Sequence, residues 1–241
     1  MVLEQEIVIV DMSKATKCLE AFSKYTNNIV FWGTNDSKSI KQHNEYYFID
    51  MPYFDKLRSH FNEPGKEYWR ICKNCLQINT IQNTDETRFK SFNININDWN
   101  DKGNKIVVLP SSGSVEYYYN QSNWLSQTLD TIKKYTNRPI IIRRKGPSMG
   151  LIHKKPLYED IKDAHAVITL TSIAGIEAAR LGIPVFCHEQ SAAAPIGLHD
   201  LSKIESPIYP DRTKWLNSLA NNVFTLEEIR NGTFKEFVKW A

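Results

Sequence analysis

Four polar clusters each follow a short apolar run in the second half of the chain, and each is of a type that binds anions or sugars. Pro110-Ser111-Ser112-Gly113-Ser114 follows Lys105–Leu109. Its small residues let backbone N–H groups approach an anion, although the same residues also build a plain turn. No G-K-[ST] follows it, and it lacks the full G-x-G-x-x-G fingerprint. Arg143-Arg144-Lys145 follows Pro139–Ile142, three cations placed to neutralise phosphate, with a solvated basic loop as the other reading. Thr171-Ser172-Ile-Ala-Gly175-Ile-Glu177 follows Ala166–Leu170. Two hydroxyls and a glycine there open a helix and offer convergent donors, or an ordinary cap. Glu177, one turn in, is an acid that accepts from a ribose diol or favours the helix N-terminus electrostatically. His188-Glu189-Gln190, with the small residues Ser191–Gly197, follows Ile183–Cys187 and suits the close approach of a flat base or a sugar; a lone surface histidine is the competing reading of His188.

The elements that must position these clusters follow from apolar periodicity. Strands are predicted at Lys105–Leu109, Pro139–Ile142, Ala166–Leu170 and Ile183–Cys187. Helices are predicted at Trp124–Tyr135, Tyr158–Ala164 and Ala174–Leu181, the last closed by Gly182 as its C′ residue. This βαβαβαβ order predicts a doubly wound parallel sheet, in which functional groups gather at the carboxyl ends of the strands. In the first half, strands are predicted at Ile7–Val10, Ile29–Trp32 and Tyr46–Ile49, with a helix at Ser13–Tyr25. Pro64-Gly65 marks a turn, Lys66–Gln77 is read as helical, and the alternation of Asn93–Asn97 as an edge strand. Asp98–Asn104 is the candidate linker. The division is therefore 1–97, an acceptor-side Rossmann-like domain; 105–224, a nucleotide-sugar-binding Rossmann-like domain; and 225–241, a C-terminal helix that packs back.

The stretch from Asp163 to Val185, with its strand, Thr171-Ser172 turn, acid-bearing helix and Gly182-Ile-Pro-Val185 strand, resembles the donor-binding core of GT-B-type glycosyltransferases. It is similar to capsule-type Kdo transferases, and most of all to small glycosyltransferase-like proteins of tailed bacteriophages, which share the Pro-Ser loop and the tail from Pro210-Asp211-Arg212 through Phe224–Gly232. The resemblance covers residues 105–235 well and the first half loosely, through Asp50–Phe54 and Tyr68-Trp69-Arg70. It implies two small Rossmann-like parallel-sheet domains with a cleft between them, and transfer of a sugar from a nucleoside-diphosphate sugar to a hydroxyl. It implies donor phosphate contacts at Ser111, Ser112, Gly113, Arg143, Lys145, Thr171 and Ser172, with Gly175 in the same turn, and a ribose contact at Glu177. The E-x7-E of retaining enzymes is absent, since Thr169 and Val185 stand at the two possible second positions. No D-x-D motif is present, and the superfamily generally needs no metal, so the expected cofactor set is empty and the nucleotide sugar is a substrate.

The acceptor hydroxyl needs a general base facing the site. Asp50, at the end of a predicted strand, is the first candidate, Asp11 the second and His188 the third. If the phage likeness governs the acceptor, that acceptor is a hydroxylated or hydroxymethylated pyrimidine in DNA, contacted by Trp69 and Arg70 with Lys38, Lys41, Lys56 and Arg58. A surface glycan is the alternative. A non-catalytic nucleotide-binding protein and a sugar-nucleotide epimerase are the readings from other classes.

Composition sets the outer limits. The chain has 241 residues, 41% hydrophobic and 24% charged, a globular composition. Thirty Lys and Arg against 27 Asp and Glu leave a charge of +3, too mild to require nucleic acid as a partner. No apolar run approaches the ~18 residues of a membrane helix. Glu4–Asp11 starts acidic and reads as a strand, which predicts a cytoplasmic protein. Cys72-Lys-Asn-Cys75 stands without a second ligand pair for zinc, and is read as half-buried thiols in a reduced compartment. Oligomeric state is left open.

Overall fold

The computed structural model describes residues 13–59, 67–144 and 156–237. The predicted strand Ile7–Val10 lies outside them, as do Asp11 and Lys145. In chain order the elements are α1 (Ser13–Ser23), β1 (Ile29–Trp32), α2 (Ser37–Gln42), β2 (Tyr46–Asp50), α3 (Asp55–Ser59), β3 (Tyr68–Lys73), α4 (Thr87–Ser91), β4 (Lys105–Leu109), α5 (Gly113–Tyr118), α6 (Trp124–Ile132), β5 (Ile140–Ile142), α7 (Leu157–Ile161), β6 (Ala164–Thr169), α8 (Ala174–Arg180), β7 (Val185–Cys187), α9 (Thr213–Ala220), β8 (Val223–Thr225) and α10 (Leu226–Asn231). No helix among the described residues is long and apolar enough to cross a membrane.

The chain forms two compact units, 1–94 with 214–241, and 95–213. The sheet of the second unit has the order β5-β4-β6-β7, all parallel. Residues 106–108, 166–168 and 186 are at most 2% exposed, so their continuous apolar runs are covered on both faces. The edge strand β5 differs from the expected buried strand: Ile141 and Ile142 are 45% and 41% exposed. Residues 98–104 are not a free linker but are stitched to this unit. Asn97 and Asn100 donate N–H bonds to the Arg180 and Gly182 carbonyls at 3.0 and 2.7 Å, and Asn104 donates to Asp163 O at 3.0 Å. Gly182 has φ +88°, and a Cβ there would sit 1.9 Å from Asp98 O. Its N–H reaches Ala179 O, and Ile183 N–H reaches Ala178 O, the paired bonds of a Schellman stop.

The sheet of the first unit has the order β1-β2-β3-β8. β1 and β2 are parallel, as the βαβ rhythm requires, whereas β3 is antiparallel to both its neighbours. The expectation of a parallel sheet here is thus corrected to a mixed one. The segment read as a helix over Lys66–Gln77 supplies β3 instead. Its four central residues are buried whichever way they point, so no alternation betrays the strand. Asn93–Asn97 pairs with no strand among the described residues. Its polar backbone is used at a helix end, where Asn95 O and Asn97 O accept from Arg180 and Arg212 at 2.8 and 2.6 Å.

Residues 214–224, assigned from sequence to the second domain, belong with the first, since Val223–Thr225 pairs along β3. The segment that follows is anchored in the same core. Phe234 is 1% exposed and lies 5.1 Å from the Phe22 ring, and Phe237 packs on the cluster of Phe22, Trp69 and Phe224. Trp240 lies outside the described residues. Thr225 and Glu228 form the capping box that starts α10.

Candidate functional site

In the second unit β4 has β5 on one side and β6 on the other, so the β4–β5 and β5–β6 connections run in opposite directions across the sheet. This is the switch point at which α/β sheets bind ligands. The parallel register brings Ile142, Leu109, Thr169 and Cys187 to the same end. There the Thr169 hydroxyl donates to Leu109 O at 3.0 Å and accepts from Ser172 N–H at 3.1 Å. It thereby ties the Pro110–Gly113 turn to the Thr171–Gly175 turn. Ser172 Oγ accepts from Ala174 N–H at 3.3 Å, which is local turn chemistry.

Ser111 is different. Its Oγ is buried and, among the described residues, has no hydrogen-bond partner. Ser112 and Gly113 are exposed, and a Cβ on Gly113 would meet nothing within 4 Å. Packing therefore does not explain that glycine. Gly175 has a packing role: a Cβ there would lie 3.0 Å from Thr169 Cγ2 and 3.5 Å from Val185 Cγ1, so α8 sits close on β6 and β7.

Two of the expected donor ligands are engaged within the unit. The Arg143 N–H donates to Val108 O at 2.9 Å, and its guanidinium is ion-paired to Asp160 on α7. Burial lowers its pKa. Arg144, the next residue, is exposed and is felt by the Glu116 carboxylate on α5. Glu177 is 1% exposed and paired with Arg180 Nε at 2.8 Å, so the carboxylate expected at a ribose is committed to a buried ion pair. The helical i,i+3 spacing of the two residues makes that pairing automatic.

At the same end of the sheet lies a cavity of about 440 Å³. Its floor is Ile168, Thr169, Phe186 and Cys187; its walls are Gln121, Trp124, Gln127, Thr128 and Thr131 on one side and His188, Glu189, His199 and Leu201 on the other. Sequence reasoning found His188 here and missed His199 and the α6 wall. The signal was present: residues 121, 124, 128 and 131, at and just before α6, recur at three and four, are mostly polar, and line the cavity beside the apolar face of Leu125, Leu129 and Ile132.

The two histidines are wired oppositely. His188 Nδ1 accepts the Gln190 N–H at 3.2 Å, so in the neutral ring the proton is on Nε2. Burial lowers the His188 pKa and favours that neutral form. His199 Nδ1 lies 2.7 Å from Cys187 O, a carbonyl that can only accept, so Nδ1 carries the proton and Nε2 keeps its lone pair. The cavity thus has one imidazole that donates and one that accepts. His188, expected as a base, therefore presents an N–H at Nε2 in its neutral form, and His199 presents a lone pair there. Cys187 is not a nucleophile: burial pushes its thiol up to about 12.

The remaining expected residues belong to the first unit. Asp50 ends β2 with both oxygens occupied, Oδ2 by Arg70 Nη2 at 2.6 Å and Oδ1 by the Met51 N–H at 2.7 Å. Arg70, expected at the acceptor, is 4% exposed; it also donates to Met51 O and stacks over the Phe48 and Tyr53 rings. Trp69 is 1% exposed and packs edge-on against Trp32 at 4.7 Å. Both side chains, expected at the acceptor, are covered, because consecutive strand residues point to opposite faces and both faces of β3 are buried. Among the described residues no three of His, Cys, Asp and Glu converge to hold a metal ion.

Two α/β units, one of them wound about a parallel sheet with polar turns at its carboxyl edge, define a GT-B-like fold. No family model matches the chain, and no curated protein matches it in sequence. Among solved structures it is similar to the beta Kdo 2,7 transferase KpsC of Thermosulfurimonas dismutans, with a TM-score of 0.50 and 16% identity over 95% of this chain and 90% of that one. The fold is therefore GT-B-like.

Proposed function

We propose that the chain is a glycosyltransferase that holds a nucleotide sugar in the second unit and moves the sugar to a hydroxyl. The observation that carries this reading is the buried Ser111 hydroxyl at the switch point, without a partner among the described residues and one strand from the Thr169 that floors the cavity. A buried donor left without a partner is expensive and marks a place where a ligand atom belongs. Ser111, Ser112 and Gly113 take the phosphate oxygens, with Thr171, Ser172 and the exposed Arg144 at its margin. The cavity takes the nucleoside between the His188 donor and the His199 acceptor. Lys145 keeps its expected phosphate role and Asp11 its expected role as a base. Asp50, held by Arg70, is an orienting carboxylate at the acceptor. The donor is a substrate, and the reading assigns no cofactor.

The burial of Trp69 and Arg70 removes the aromatic and basic pair proposed to grip DNA, which favours a glycan hydroxyl over a modified pyrimidine as acceptor. The test is a panel of nucleotide sugars scored by thermal shift and by release of the free nucleotide. One donor class should raise the melting temperature and be turned over slowly in water, and Ser111→Ala should lose most of that shift. Binding with no turnover under any acceptor would favour the non-catalytic reading, and a panel with no binder at all would end the proposal.

A further inference from the structure

The C-x-x-C lies apart from this site, in a setting unlike a helix interior. Cys72 is in β3 and 1% exposed. Lys73 ends the strand, Asn74 turns at φ +57°, and Cys75 follows, partly exposed. The turn is pinned to β2, because Asn74 N–H donates to Tyr46 O at 3.0 Å and Asn74 Oδ1 accepts the Tyr46 N–H at 2.9 Å. The two thiols are hydrogen-bonded to each other. The Tyr53 hydroxyl accepts the Ile78 N–H at 3.1 Å, which leaves its own proton for Cys72 Sγ at 3.5 Å. Arg70, two residues back on the same face of β3, adds its positive charge. The bond to Cys75 first, then these groups, hold the Cys72 thiol below its ordinary pKa in spite of burial, and the same bond with burial pushes the Cys75 thiol up, as burial pushes Cys18 and Cys187 up. Of the three buried cysteines, two are isolated thiols, and the third, Cys72, which donates to Leu76 O at 3.8 Å, is hydrogen-bonded to a partly exposed cysteine.

We propose that Cys72 and Cys75 are a redox-active dithiol, a modification site that a low-molecular-weight disulfide closes into an intramolecular disulfide. Cys75, the reachable sulfur, gives up its proton and attacks one sulfur of the small disulfide RS–SR. That S–S bond breaks, RS⁻ leaves and takes up the proton, and Cys75–S–S–R forms. Cys72, unreachable from solvent but hydrogen-bonded to Cys75, gives up its proton and attacks Cys75 Sγ. A second RS⁻ leaves, protonated by the proton Cys72 gave up. Two cysteine thiols are oxidised by two electrons and RS–SR is reduced to two RSH. The same Arg70 guanidinium that faces Cys72 bonds Asp50 Oδ2, so the closed and open forms differ at that ion pair.

The experiment incubates the full chain with glutathione disulfide, quenches with acid and N-ethylmaleimide, and maps tryptic peptides. Cleavage after Lys73 puts the two cysteines on separate peptides, Ile71–Lys73 and Asn74–Arg88. The expected result is these two joined and lighter by two hydrogens, with Cys18 and Cys187 still alkylated after denaturation. Cys72→Ser should stop at the glutathione adduct on Cys75, and Cys75→Ser should form adduct at least ~10-fold more slowly than that variant. A wild-type chain that stays reduced in excess glutathione disulfide, that accumulates the Cys75 adduct to the level of Cys72→Ser, or that links two chains, overturns the proposal. Because the wild-type peptide map alone decides this, the outcome does not depend on either variant folding.

Discussion

A buried hydroxyl without a partner destabilises a protein by about 1–3 kcal/mol, and Ser111, just after β4, has none among the described residues. Ser111→Ala should therefore make the free protein more stable, by a few °C in melting temperature for a chain of this size, and at the same time weaken nucleotide binding. The two effects have opposite signs, so a melting curve with and without ligand separates them; a variant that loses stability would mean that the hydroxyl is satisfied internally. His188 makes a second prediction at this scale. Its native pKa is below its ordinary value of about 6.5, so the unfolded chain binds the proton more readily. Its contribution to stability is complete above about pH 6.5 and is lost as pH falls through the lowered native value. His188→Gln should flatten that part of the melting-temperature profile between about pH 5 and 7, and an unchanged slope would exclude His188 as its source. Residue types were readable at this scale, but not every commitment was. Glu177 and Arg143 stand where a donor ligand would be sought, yet each is spent on a partner: Glu177 on Arg180, which the i,i+3 spacing announces, and Arg143 on Asp160, which no local motif announces.

Elements were legible where local signals agree. The second unit was readable as a parallel sheet because each of its strands is a short apolar run closed by a turn, and α8 ends where Gly182 says it must. β3 and β8 were not, because their pairing is made between residues far apart in sequence, and β3 is buried on both faces. Gly182→Ala tests the stop. A Cβ at φ +88° costs about 1–2 kcal/mol in conformation alone, and the approach to Asp98 O at 1.9 Å adds a clash, so the variant should lose at least ~2 kcal/mol in urea unfolding. Thr225→Ala removes the oxygen that accepts the Glu228 N–H at 3.2 Å. The expected loss is ~1 kcal/mol, and a neutral substitution would mean that α10 is held by its packing on α1 and needs no cap.

At the scale of the whole chain, the cavity and every turn around the switch point fall within 95–213. A fragment of those residues should fold alone and keep the nucleotide-induced thermal shift; a fragment that binds nothing while remaining folded would show that the donor site needs residues from outside it. The first unit depends instead on both of its segments. Phe234→Ala should cost about 3–5 kcal/mol, the range for a fully buried phenylalanine, because its ring fills the space among Phe22, Tyr25 and Phe224. A melting temperature equal to that of the wild type would show that the segment is an appendage.

The late arrival of β8 has a consequence for synthesis on the ribosome. β3 emerges with one edge hydrogen-bonded to β2 and the other waiting for a strand that follows about 150 residues later. At translation rates of about 5–20 residues per second that edge stays unpaired for roughly 8–30 s. The whole second unit is synthesised within that interval and is complete shortly before β8 emerges. A nascent chain with a buried-type strand open on one side is the sort of substrate that chaperones hold and that pairs with its neighbours on a crowded polysome. Overexpression at low temperature, which slows aggregation more than it slows pairing, should therefore raise the soluble yield of the whole chain far more than that of the 95–213 fragment.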